Sequence, residues 1–277
     1  MADMVKKGPR GQGVKGSREK NRKEVVIFKT IDDMADFIIE QWRIVSEMAI
    51  KEKERFTVAL SGGRTPEFLY KKLSHKKTLP WNKTHVFLTD ERYVPYENEE
   101  SNLHMINDTL LTRVSIPKDN VHPISTSEVT PRESAEKYEE DLISFFITAE
   151  TTLPEFDLIL LGIGEDGHTA SLFPETPSLK ETRRFAVTVS PKDKPKKDRI
   201  TITFPVINMA KNIMFLVTGG NKAKIVKAVI EGKNNLHPAA MVEPEKGKLV
   251  FLLDEDAGAL LKNSTRRRGG IRIKSRQ

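Results

Sequence analysis

Residues 156–174 read Phe156-Asp157-Leu158-Ile159-Leu160-Leu161-Gly162-Ile163-Gly164-Glu165-Asp166-Gly167-His168-Thr169-Ala170-Ser171-Leu172-Phe173-Pro174. An apolar run stops abruptly at three closely spaced glycines, which frame acidic residues and a histidine before a short apolar segment resumes. The pattern predicts a buried strand that runs into a tight loop carrying a titratable pair, Asp166 and His168. Glycine permits positive φ and close approach of the backbone to a ligand. Histidine is the side chain best suited to proton transfer near neutral pH.

The same strand-then-loop pattern recurs on both sides of this stretch. Phe56 to Leu60 leads into Ser61-Gly62-Gly63-Arg64-Thr65-Pro66, followed by a helical pattern from Glu67 to Leu73 with Pro66 suited to its first turn. His85 to Thr89 leads into Asp90-Glu91-Arg92, and Ile213 to Val217 into Thr218-Gly219-Gly220-Asn221-Lys222, with a helix to Ile230. Glu24 to Lys29 is the first strand, and Thr30 with Asp33 caps a long amphipathic helix carrying Met34, Phe37, Ile38, Trp42, Val45 and Ala49. Further expected elements are a helix from Ser101 to Leu111, one from Pro131 to about Ala149, and strands at 121–124, 185–189, 199–204 and 249–253. A short helix capped by Asp254 is expected to follow. This alternation predicts a doubly wound, mostly parallel, Rossmann-like α/β sheet with helices on both faces. In such folds ligands bind beyond the carboxyl ends of the strands. The four loops would therefore share one edge and converge His168, acids, Arg92, Lys222 and two Gly-Gly backbones. That set suits an anionic, phosphorylated substrate and proton transfer. The Gly-Gly loop matches neither the P-loop nor the dinucleotide fingerprint, and His168 lacks a second histidine at a ligand spacing, so no metal site is expected.

Length and charge set the boundaries. With 277 residues the chain can bury one large core. The net charge of +7 is carried by the ends: residues 1–23 hold eight Lys/Arg against two acids and residues 262–277 hold seven against none, leaving 24–261 net negative. A single domain over 24–261 with flexible basic tails, 1–23 and 262–277, is expected. The tails could attract nucleic acid, but only nonspecifically. No apolar run approaches the roughly 20 residues of a membrane span, and no signal region is visible. Cysteine is absent, which excludes disulfides and thiolate chemistry. A cytoplasmic location is expected.

At these same loops the chain resembles the 6-phosphogluconolactonase family, within the glucosamine/galactosamine-6-phosphate isomerase-like superfamily. Residues 61–66 resemble its S-G-G-S-T-P loop with Arg64 in place of serine, residues 90–95 match D-E-R-x-V-P, and residues 101–102 match S-N. Residues 162–174 match G-x-G-x-D-G-H-T-A-S-L-F-P, and residues 199–201, 219–223 and 238–254 resemble its later segments. The resemblance implies a carboxylic ester hydrolase of the pentose phosphate pathway that opens 6-phospho-D-glucono-1,5-lactone and needs no cofactor. It implies His168 as the base, with Asp166 or Asp90 orienting its ring. Gly62, Gly63, Thr65, Arg92, Ser171, Arg199 and Lys222 would bind substrate and its phosphate, with backbone N–H groups of the 162–167 loop or of Gly62-Gly63 facing the oxyanion. An aminosugar-6-phosphate deaminase/isomerase is the alternative within the superfamily, but its motif places a glutamate soon after the histidine, whereas here no acid follows until Glu175. A non-catalytic sugar-phosphate-binding module is the alternative outside enzymology.

Overall fold

A computed structural model describes residues 23–191, 197–232 and 236–262, together with the backbone of 267–268. In chain order the elements are β1 (Glu24–Phe28), α1 (Ile31–Lys53), β2 (Phe56–Leu60), α2 (Arg64–Leu73), β3 (Thr84–Leu88), β4 (Asp90–Arg92), α3 (Asn102–Thr109), β5 (Val121–His122), α4 (Pro131–Phe146), β6 (Leu158–Leu161), β7 (Ala186–Val189), β8 (Arg199–Ile202), α5 (Phe204–Met209), β9 (Asn212–Val217), α6 (Ala223–Glu231), α7 (Pro238–Met241), β10 (Lys248–Asp254) and β11 (Arg267–Arg268).

Eight strands form the main sheet in the order β11-β1-β10-β9-β6-β2-β3-β5, and every neighbouring pair is parallel. Helices cover both faces. The central strands β2 and β6 are buried along their whole length, as a parallel sheet sandwiched between helices requires. From β2 the chain moves outward to β3 and β5; from β6 it moves the other way, to β9 and β10. The adjacent pair β2–β6 is thus the point where strand order reverses, and a crevice opens there between loops leading to opposite sides. Both loops are glycine-rich.

Local chemistry accounts for the helices. The Thr30 hydroxyl accepts from the Asp33 N–H at the start of α1, and Thr130 with Glu133 forms a full capping box on α4. Trp42 of α1 packs edge-on to Phe56 and tilted against Trp81, with centroid distances of 5.3 and 5.7 Å. At the β3/β5 edge, His85 Nδ1 lies 3.2 Å from His122 Nε2, and His122 Nδ1 lies 3.0 Å from Asp141.

Several expectations need correction. Asp90–Arg92 is not a loop: it pairs antiparallel with β8, and β8 with β7, in a separate three-stranded sheet. Glu91 decides this, because its buried carboxylate collects the N–H groups of Arg92, Asn102 and Leu103 and draws the segment into the interior. The strands expected at 185–189 and 199–204 belong to this small sheet, and Phe204 opens α5 with Pro205 in its first turn. After Asp254 the chain makes turns rather than a helix, although the Asp254 carboxylate does accept from the Ala257 N–H at 2.7 Å. Helix α3 stops at Thr109, because Leu110 leaves helical φ/ψ, and α4 stops at Phe146. Of the tails, Lys23, Lys262 and the Arg267–Arg268 pair are described, the pair lying parallel to Val26–Ile27 of β1; the rest lie outside the described residues.

Candidate active site

Above the β2–β6 crevice lies an open cleft of about 590 Å³. Its walls come from the Ser61–Gly63 turn and the start of α2, Asp90 and Arg92 of β4, Asn102, Gly162 to Gly164 and His168 of the histidine loop, Arg199 of β8, and Leu216 to Gly219 with Asn221 and Lys222. The four chemically rich segments expected at one edge do converge there.

The histidine loop folds back on itself. Gly164 N–H donates to the His168 carbonyl at 2.9 Å and Gly167 N–H to the Gly164 carbonyl at 3.0 Å. Gly167 sits at φ +86°, a region that favours glycine. Asp166 Oδ1 accepts from the His168 backbone N–H at 3.1 Å and meets ring Nδ1 at 2.6 Å. Burial raises the Asp166 pKa, but the hydrogen bond from His168 and its charge outweigh this, so the carboxyl is held below its ordinary value. An ionised carboxylate can only accept. Nδ1 is therefore the nitrogen that keeps a proton in the neutral ring, which makes Nε2 the basic nitrogen of that tautomer. The ring also packs, tilted, on Phe173 at a centroid distance of 4.5 Å.

Asp90 has other partners. Its carboxylate accepts from the hydroxyls of Thr89 at 3.0 Å and Ser171 at 2.6 Å, and its carbonyl accepts from Asn102 Nδ2 at 2.8 Å. The structure thus brings Asp166, and not Asp90, onto the His168 ring. Ser171 is fully buried behind the cleft, spending its hydroxyl on Asp90.

Cations gather at the walls. Arg92 and Arg199 stand opposite each other in the antiparallel register of β4 and β8. Like charges so placed repel. Burial, then the neighbouring Arg92, lower the Arg199 pKa. The Nε of each arginine is buried without a hydrogen-bond partner. Lys222 also lines the cleft; its pKa is lowered by burial and by Arg64, with Glu165 and Asp166 opposing. Gly63, at φ +107°, precedes α2, and no side chain caps that helix. Thr65 Oγ1 lies 2.7 Å from Thr218 Oγ1, and Gly62 has no room for a Cβ, which would sit 1.8 Å from Asn102 Oδ1.

The family model described as glucosamine-6-phosphate isomerases/6-phosphogluconolactonase matches residues 29–251. The chain belongs to this family. Within the glucosamine-6-phosphate isomerase/6-phosphogluconolactonase family, it is 44% identical to a 6-phosphogluconolactonase of Synechocystis sp., over 77% of this chain and 88% of that one. A crystal structure of 6-phosphogluconolactonase from Thermotoga maritima is 35% identical and superposes with a TM-score of 0.71, covering 83% of this chain and all of that one. A monomeric glucosamine-6-phosphate deaminase, 21% identical, superposes with a TM-score of 0.70 over 86% of this chain and all of that one, and shows the shared fold alone.

Sequence reasoning gave no role to Ser61, Thr218 or Asn221 in the cleft wall, nor to His237 behind the histidine loop. Ser61 Oγ is buried without a partner, and Asn221 Nδ2 donates to Glu165 at 2.6 Å. The strand-end positions of Ser61 and Thr218 were the available signal.

Proposed function

We propose that the chain hydrolyses 6-phospho-D-glucono-1,5-lactone to 6-phospho-D-gluconate, the hydrolytic step of the oxidative pentose phosphate route. One observation carries the proposal: His168, its Nδ1 fixed by Asp166 at 2.6 Å, shares a cleft with two arginines whose Nε atoms lack partners. Nε2 takes a proton from water as the water oxygen bonds to C1 of the lactone. The tetrahedral intermediate then breaks its bond to the ring oxygen, which receives the proton back from the imidazolium and leaves as the sugar hydroxyl. Asp166 holds the tautomer and stabilises the imidazolium between the two transfers. The N–H groups of Gly164 and Gly167 close their own loop, which leaves the Ser61–Gly63 turn and the other N–H groups of the 162–167 loop to face the oxyanion. Arg92, Arg199 and Lys222 grip the phosphate, and gripping it far from C1 places that carbon against His168. Thr65 and the first turn of α2 complete the anion-binding wall. Asp90 holds Ser171 and Asn102 in place, supporting the wall from behind.

A deaminase needs a further acid or base near the histidine. Among the described residues Glu175 is exposed and outside the cleft wall, which favours hydrolysis. The catalytic domain is residues 24–261, with 1–23 and 262–277 as flanking tails. A cytoplasmic setting is part of the proposal, since a phosphorylated sugar does not cross a bilayer and must be processed where it is made. The test is lactone disappearance, followed with and without the protein in a coupled assay. Hydrolysis well above the spontaneous rate is expected, and equality of the two rates would overturn the proposal.

A further inference from the structure

Behind the histidine loop lies a side chain that the chemistry above does not use. His237 Nδ1 lies 3.1 Å from the backbone carbonyl of Asp166. A carbonyl only accepts, so this nitrogen carries the proton. Two residues on, the Ala239 N–H donates to the Gly167 carbonyl at 2.9 Å. A Cβ built on Gly167 would lie 2.7 Å from both Cβ and Nδ1 of His237. The ring therefore rests directly on the glycine backbone, and the carbonyls on both sides of the Gly167 nitrogen and α-carbon are clamped. In the same loop, the Glu165 carboxylate accepts from the Asn221 side-chain amide at 2.6 Å. Asp166 can keep its carboxylate on the His168 ring only while its own backbone stays put, and His237 is the side chain that fixes its carbonyl.

We propose that His237 is a positioning residue for the hydrolysis, fixing the Asp166–Gly167 peptide so that the Asp166 carboxylate holds His168 with Nδ1 protonated and Nε2 free toward the cleft. His237 touches neither the substrate nor the reacting atoms; it acts through Asp166. The contribution should therefore appear in turnover rather than in substrate binding, and it should depend on the donor rather than on the volume of the ring.

The inference rests on the hydrolase assignment for its kinetic consequence but not for its structural one, and the experiment separates the two. His237→Phe keeps an aromatic ring over Gly167 and removes the donor. His237→Asn supplies an amide N–H in the place of Nδ1. The phenylalanine variant is expected to lose about tenfold in kcat with KM within twofold of wild type, because small misplacement of a catalytic group is costly. The asparagine variant is expected to recover most of that loss. In substrate-free protein, 15N NMR of the His168 ring should show one tautomer, protonated at Nδ1, in wild type and in His237→Asn, and a mixture in His237→Phe. An unchanged kcat in His237→Phe, an asparagine variant as impaired as the phenylalanine one, or identical His168 tautomers in all three proteins would each overturn the proposal. If the wild-type protein fails to accelerate lactone hydrolysis, the hydrolase assignment falls, and the NMR comparison alone decides the role of His237.

Discussion

Gly164 stands where any side chain would collide with His168: a Cβ built there would lie 2.0 Å from Nδ1 of the ring and 2.6 Å from Asp166 Oδ1. Its φ lies outside the positive region, so alanine is compatible with the backbone and the nearest atoms it meets are those of the dyad. Gly164→Ala should therefore fold with a near-native Tm yet lose at least tenfold in kcat, by displacement of the imidazole. Calorimetry and turnover on the same preparation check this; full activity would mean that the ring has a second productive position.

His168→Ala should reduce kcat by about 10²–10⁴, the usual contribution of a positioned acid–base group, with the far-ultraviolet circular dichroism unchanged. Wild-type-like turnover would remove the histidine from the mechanism.

Asp166→Asn should lower kcat by less than His168→Ala, since the ring remains. A stability signature accompanies it. The folded Asp166 pKa is held below the unfolded value of about 3.9, so its carboxylate favours the folded state above that pH, and the contribution disappears as pH falls through the depressed folded value. The Tm difference between wild type and Asp166→Asn should be present at neutral pH and shrink under strongly acidic conditions. A difference that grows toward acid would contradict the ion-pair geometry.

Arg92→Ala, Arg199→Ala and Lys222→Ala should each raise KM by about ten- to a hundredfold, equivalent to about 1.4–2.7 kcal/mol, with smaller changes in kcat. The wild-type KM should also rise with ionic strength, as screening weakens the anion grip. A KM unchanged in all three variants would discard the phosphate assignment.

His85 gives a test away from the cleft. Burial, with His122 and Arg55 adding their charge, pushes its pKa down to about 4, while the unfolded chain takes up the same proton near 6.5. Protons therefore favour the unfolded state between those values: the stabilisation is complete above about pH 6.5 and is lost as pH falls toward 4. Discounted for solvent screening at a part-exposed ring, the effect is about 1–2 kcal/mol, or roughly 3–6 °C in Tm. His85→Gln should flatten the Tm profile across that window; an identical slope would exclude His85 as its source.

Much of this architecture was readable in the chain because its determinants are local. The runs Phe56 to Leu60 and Leu158 to Leu161 are apolar enough to be buried strands wherever they fall, and glycine at their ends announces the turns. Asp166 and His168 are two residues apart, so their contact is a property of one loop. The β4–β8 pairing is different. It joins residues about 110 positions apart, and the acidic segment Asp90–Glu91 looks like solvated loop until the N–H groups that satisfy Glu91 are in place. Ser171 shows a second long-range effect: the resemblance implied a substrate contact, and its buried hydroxyl donates to Asp90, 81 residues earlier. His237 carried no local signal, because its partner carbonyl is 71 residues away and any backbone carbonyl would have served.

The facing of Arg92 and Arg199 across two short strands has a consequence for how the fold tolerates change. Two like charges in register cost the small sheet stability; Asp90, Glu91 and Glu100 offset this only in part, since the Arg199 pKa stays lowered, and neither Nε has a hydrogen-bond partner. Function and robustness therefore pull in opposite directions at this pair. Replacing either arginine with an uncharged residue should make the empty protein harder to melt while it loses its grip on phosphate. Inorganic phosphate added to the wild type should recover the same stability by mass action. Random selection for heat resistance alone would tend to erode one of the two arginines, and selection for turnover would restore it.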